Sequence, residues 1–146
     1  MRASLQLALF GRVALAAGLG YLIGLERQLR GKAAGDRTFA LLSMGAAALV
    51  SMSLELFPTS ADRVIQGVAT GVGFLGAGII FRRTDDRVRG LTTAAAAWAA
   101  TAIGVLCAGR LYLLALLTTG LTIVLLETIA IPGVSWFEER TDQSDD

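Results

Sequence analysis

Five apolar stretches separated by short charged segments dominate the chain: residues 5–25, 38–57, 64–81, 91–108 and 111–131. Each runs for roughly 18 to 22 residues, which at 1.5 Å of helical rise per residue matches the hydrocarbon core of a bilayer. None shows the strict two-residue alternation of a half-buried strand. The pattern predicts an all-α, polytopic transmembrane helical bundle of about five spans. Gly109 and Arg110 alone separate the last two stretches, so these should form a tight helical hairpin with Gly109 as the C-cap. The rival arrangement has four spans, because residues 91–102 are alanine-rich and only weakly hydrophobic.

Composition agrees with lipid as the main solvent. Of the 146 residues, 54% are hydrophobic and 17% charged, and the mean hydropathy is +0.62. A soluble domain of this size needs a more polar surface. There is no histidine, so the commonest general base and metal ligand are absent. Cys107 is the sole cysteine, which rules out an internal disulfide and a cysteine metal cluster. Neither a cofactor nor a nucleic-acid partner is expected. Arg2 ahead of the first stretch has the look of a signal peptide. Arg12 interrupts that stretch, however, and it continues to Leu25 without a turn, so a retained helix is expected.

Charge sets orientation. The first loop holds Arg27, Arg30, Lys32 and Arg37, the third holds Arg82, Arg83, Arg87 and Arg89, and the tail adds Arg140, which together are nine of the thirteen basic residues. With five spans these nine share one side. The N-terminus is therefore expected outside and the C-terminus in the cytoplasm. Pro132 and Gly133 should end the last helix, Trp136 and Phe137 should anchor at the interface, and residues 134–146 form a short acidic tail after a membrane domain of 1–133.

The first two stretches echo the next two. At a shift of 53 residues, Gly18, Gly20, Leu22 and Arg30 fall on Gly71, Gly73, Leu75 and Arg83, and each basic loop leads into a threonine-opened helix, at Thr38 and at Thr92-Thr93. This would be a parallel repeat of spans 1–2 and 3–4, with its axis along the membrane normal. Gly20 and Gly24, and Gly67 and Gly71, are four apart, and Gly73, Gly76 and Gly78 crowd the same third stretch. Small residues at this spacing let helices approach closely in lipid. Gly71-x-Gly73-x-x-Gly76 matches the dinucleotide-binding pattern by letters only, since no strand precedes it.

Two polar segments, Glu26-Arg27-Gln28 through Gly35-Asp36-Arg37-Thr38 and Arg87-Val88-Arg89-Gly90-Leu91-Thr92, lie on the same side. Glu26, Arg27, Arg37, Thr38, Arg89, Thr92 and Glu127 are expected to form one cluster, with Glu26 held by Arg37 or Arg89. Arg12 is expected to snorkel outward.

The same segments carry a family resemblance. Gly20-Tyr21-Leu22-Ile23-Gly24-Leu25-Glu26-Arg27-Gln28, Gly35-Asp36-Arg37-Thr38, Gly71-Val72-Gly73-Phe74-Leu75-Gly76-Ala77-Gly78, Val88-Arg89-Gly90-Leu91-Thr92-Thr93-Ala94-Ala95, Trp98 and Ala102-Ile103-Gly104 resemble, in order and spacing, the signatures of the MgtC/SapB membrane domain. The resemblance implies a bacterial inner-membrane protein linked to magnesium limitation, acid stress and survival inside macrophages. It implies a regulator rather than a transporter, with the membrane sector of the F-type ATP synthase as a partner of some members. Many members add a cytoplasmic ACT-like domain, whereas this chain resembles the short, membrane-only branch. Some virulence-associated members carry asparagine and cysteine where this chain has Thr92 and Ala99, which weakens transfer of the virulence role.

The leading expectation is thus a non-enzymatic membrane regulator, homodimeric or larger, in contact with anionic lipids. The alternative is a small transporter or channel for magnesium or another ion, with a site among Glu26, Arg37, Thr92 and Glu127. A regulator predicts a closed bundle, and a transporter predicts a wet cavity reaching the midplane. An enzyme is the least supported, for want of a nucleophile and base pair.

Overall fold

The computed structural model describes residues 3–32, 34–80 and 90–127. Its elements are α1 (Ala3–Leu29), α2 (Asp36–Leu56), a 3-10 turn (Pro58–Ser60), α3 (Ala61–Ile80), α4 (Leu91–Ala108) and α5 (Tyr112–Glu127). The first four helices are long and apolar enough to cross a membrane, and α5 is a shorter apolar helix of 16 residues. The protein is a multi-pass helical membrane protein. Helix α1 is longer than the apolar pattern alone indicates, with 27 residues, and it carries Glu26 and Arg27 in its last turns rather than in a loop.

Turn chemistry explains where the helices stop. After α1, Gly31 takes φ +64°, its N–H donates to the Gln28 carbonyl at 3.0 Å, and the Lys32 N–H donates to the Arg27 carbonyl at 3.0 Å. These two bonds make a Schellman cap with glycine in the left-handed position. The α4–α5 turn repeats the motif, with Arg110 N–H donating to Cys107 at 3.2 Å and Leu111 N–H to Leu106 at 2.9 Å. Gly109 is the C-cap, as the spacing predicts, but its φ is −74°, and the left-handed residue is Arg110 at φ +63°. Gly90 opens α4 at φ +95°, where a Cβ would press on the Ile79 carbonyl oxygen at 3.2 Å.

The core lies where α1, α2 and α4 meet, and one residue marks the crossing. Ser43 of α2 is fully buried and is approached by glycines from two sides. A Cβ at Gly20 of α1 would stand 2.8 Å from the Ser43 Cβ and 2.5 Å from the Phe39 carbonyl oxygen, and a Cβ at Gly104 of α4 would collide with the Ser43 carbonyl oxygen. Close backbone approach through small residues is how helices gain dispersion energy in lipid, where no hydrophobic drive exists between them. Ala16, Ile23, Phe39, Ala47, Ala97, Ala100, Ile103 and Cys107 fill the surroundings with no exposed surface.

Moved by 53 residues, α1 and α2 would cover residues 56–82 and 89–109, close to the observed Ala61–Ile80 and Leu91–Ala108. The two helical hairpins therefore match in boundaries, but not in packing. Gly67, Gly71, Gly73 and Gly78 of α3 have open space where a Cβ would stand, and Gly76 makes only an ordinary contact at 3.6 Å with Ala94.

Candidate functional site

Charged groups inside the described bundle gather in two layers. Arg12 and Glu26 are fourteen residues apart on α1, about 21 Å along its axis. In the first layer Glu26 is 8% exposed and Arg27 is 2% exposed. The Arg27 guanidinium grips the Glu26 carboxylate as a fork, Nε to Oε2 and Nη2 to Oε1, the latter at 2.7 Å. Planar bidentate pairing is the arrangement in which a buried carboxylate is best satisfied. Arg30, one turn later and largely exposed, stands 3.7 Å from Glu26 Oε1 and also donates through Nη2 to Glu127 Oε2. Two arginines thus face two carboxylates, and the pairing ties the end of α1 to the end of α5.

This layer differs from the sequence-based expectation in its membership. Glu26 is held by Arg27 and Arg30, not by Arg37. Arg37 is exposed at the start of α2, where its own N–H donates to Asp36 Oδ1 at 2.7 Å. Thr38 and Thr92 are exposed in the first turns of α2 and α4, and neither caps its helix, since Gly35 and Gly90 occupy the N-cap positions. Arg89, the rest of the third basic loop and the tail from residue 128 lie outside the described residues. Arg30 is the member that sequence reasoning missed. Its i,i+4 spacing from Glu26 on one helix was the available signal.

The second layer reverses the expectation for Arg12. Instead of snorkelling to water it is 5% exposed. Its Nη1 lies 3.6 Å from Glu55 Oε1 and donates to the Ala108 carbonyl oxygen at 3.4 Å. Arg110 Nη2 reaches the same Glu55 oxygen at 3.4 Å. The physical reason is the end of α4. Its last carbonyls need donors and carry the negative end of the helix dipole, so a cation is drawn inward to them. Glu55 comes from the last turn of α2, and the layer joins α1, α2 and the α4–α5 turn.

Between the layers the buried residues of α1 are Ala16, Leu19, Gly20, Ile23 and Gly24, without a charge. Gly24 sits under the start of α2, where a Cβ would come within 2.6 Å of the Asp36 Cα. Among the described residues no group of three or more acidic, cysteine or histidine side chains is arranged to hold a metal ion.

The motif-bearing segments fall within a match to a known family. The model of the MgtC family matches residues 13–131. The chain belongs to the MgtC family. Among curated relatives, SrpB of Synechococcus elongatus is 38% identical over 94% of this chain and 84% of its own length. MgtC of Salmonella typhimurium is 49% identical over 61% of this chain, and MgtC of Brucella abortus is 50% identical over 64%. The matched region covers 38% and 39% of those two MgtC proteins, so this chain corresponds to less than half of their length. No solved structure matches. The MgtC-family match takes in Glu26, Arg27, Arg30, Glu55 and Arg110, whereas Arg12 lies one residue before it.

Proposed function

We propose that this MgtC-family protein is a non-enzymatic regulator of another membrane complex, acting through helix contacts within the bilayer. The observation that carries the reading is the arrangement of charge. Both layers are internally paired, and the buried α1 residues in the roughly 21 Å between them carry no charge. An ion path needs a continuous polar lining or water in that interval, and apart from the paired charges the buried polar side chains among the described residues are serine and threonine hydroxyls, Ser43 among them. A cavity of about 400 Å³ between α2 and α3 has an almost wholly apolar lining, Thr101 being the hydroxyl in it. The membrane is the bacterial inner membrane, with the N-terminus outside. By family resemblance the setting is magnesium limitation or acid stress, and the membrane sector of the F-type ATP synthase is the first partner to test.

Two measurements decide it. Crosslinking and pull-down from native membranes should capture a defined membrane complex. Purified protein in sealed vesicles should pass magnesium no faster than empty vesicles, as read by an internal magnesium dye. Flux that Glu26→Gln abolishes would overturn the proposal in favour of a transporter.

A further inference from the structure

The two charge layers differ in their balance. In the first, two arginines meet two carboxylates, and Arg27 reaches Glu26 Oε1 at 2.7 Å. In the second, Arg12 and Arg110 share one carboxylate and the same oxygen of it, Glu55 Oε1, at 3.6 and 3.4 Å. Both distances are long for charge-assisted hydrogen bonds, which fall at about 2.7–2.9 Å. The Ala108 carbonyl at the end of α4 offsets part of the charge on Arg12. Asp62, the other carboxylate at this end of the bundle, is exposed and forms no ion pair with either arginine. The second layer therefore holds one cation more than it can neutralise.

The surplus falls on Arg110. Arg12 is buried and has the first claim on Glu55, whereas the Arg110 side chain is 64% exposed. Among the described residues only its Nη2 meets an acceptor, so Nε and Nη1 are open. The backbone at Arg110 is in the left-handed region at φ +63°, although Gly109, which would take that conformation without strain, stands one place earlier. An exposed pair of this kind adds little to stability, so the fold gains little from an arginine here. An anion outside the chain would gain more. The turn joins the ends of two apolar helices, with exposed Leu111 and Leu113 beside it and exposed Leu56 and Phe57 at the nearby end of α2. A guanidinium among such side chains stands at the edge of the apolar zone, and its planar fork matches two oxygens of a phosphate.

We propose that Arg110 anchors a phosphate site at the membrane surface, and that Arg12, by claiming Glu55 from behind, keeps that carboxylate from neutralising it. The phosphate group comes from a lipid headgroup or from solution, and the test separates the two sources. The full chain in neutral detergent is given phosphatidylglycerol, or a diglucosyl lipid with the same acyl chains, and bound lipid is counted by native mass spectrometry. The parent should retain phosphatidylglycerol several-fold better than the glucolipid. Arg110→Gly, which also relieves the strained turn, should bring retention down to the glucolipid level. Arg63→Gln, which removes another exposed arginine from the same end of the bundle, should leave it unchanged. An inorganic phosphate adduct that displaces the lipid from the parent and is lost in Arg110→Gly makes free phosphate the source, and a lipid that millimolar phosphate does not displace makes it the headgroup. Equal retention of the two lipids by the parent, with no phosphate adduct, would overturn the site. So would equal losses in Arg110→Gly and Arg63→Gln, which would reduce the effect to general surface charge.

Discussion

Ser43 shows how much of this bundle rests on single atoms. Gly20 and Gly104 bring two backbones against it, so adding one methyl group at Gly104 forces α2 and α4 apart. Gly104→Ala should cost about 1–3 kcal/mol by overpacking, whereas Gly71→Ala, with open space around it, should change stability little. Denaturation in mixed micelles of rising SDS fraction compares the two, and equal midpoints would refute the assignment. Arg110 gives a second residue-scale test. A non-glycine residue in the left-handed region costs roughly 1 kcal/mol, and its largely exposed ion pair with Glu55 returns no more than about 1 kcal/mol. Arg110→Gly should therefore be at least as stable as the parent. Arg110→Ala, which keeps the strain and loses the pair, should be the least stable of the three in the same titration.

Between elements, the decisive links are ionic and come from residues whose importance the chain's pattern conceals. Arg12 ties α1 to the end of α4 and to Glu55 on α2. Removing one partner leaves a buried charge with too few contacts, so Glu55→Gln and Arg12→Gln should each destabilise by about 2–4 kcal/mol. The double variant should cost clearly less than their sum, and a double-mutant cycle reads that coupling directly. Strict additivity would mean that the contact carries no energy. The helices themselves were legible in advance, since apolar length, Gly109 and the basic loops announce them. Partner choice was not. Glu26 lies eleven residues from Arg37 in sequence, but a guanidinium on its own helix reaches it first. Likewise, an arginine amid apolar residues reads as a snorkelling side chain until the end of α4 is known to lie within its reach. Gly20 and Gly24 share their spacing with Gly67 and Gly71, and only the packed structure separates the pair in tight contact from the pair facing open space.

For the whole molecule, orientation is the property most readily tested. Nine of thirteen basic residues share one side by the five-span reading, which places the α2–α3 turn outside. A cysteine at Thr59 should react with an impermeant maleimide in intact cells, and one at Lys32 only after permeabilisation. The buried Cys107 gives the unmodified background. The reverse pattern would invert the topology. The bundle as a whole is asymmetric: α1 is gripped from several sides, whereas only Ala61, Val72 and Gly76 of α3 are buried. Of the four long helices α3 is thus the one most open to lipid, whereas α4, its hairpin partner, is half buried in the core.

The pairing of Arg12 with Glu55 also has an electrical consequence. A unit charge crossing the full membrane potential experiences about 2.3 kcal/mol per 100 mV. Arg12 lies nine residues into the 27 of α1, roughly a third of the way. Held against Glu55, the pair presents almost no net charge to the field, and changes in voltage do little work on it. In Glu55→Gln the same guanidinium would lose its counter-charge and experience the fraction of that energy set by its depth in the field. The parent protein should therefore ignore the voltage across its membrane, and the stability or conformation of that variant should begin to follow it.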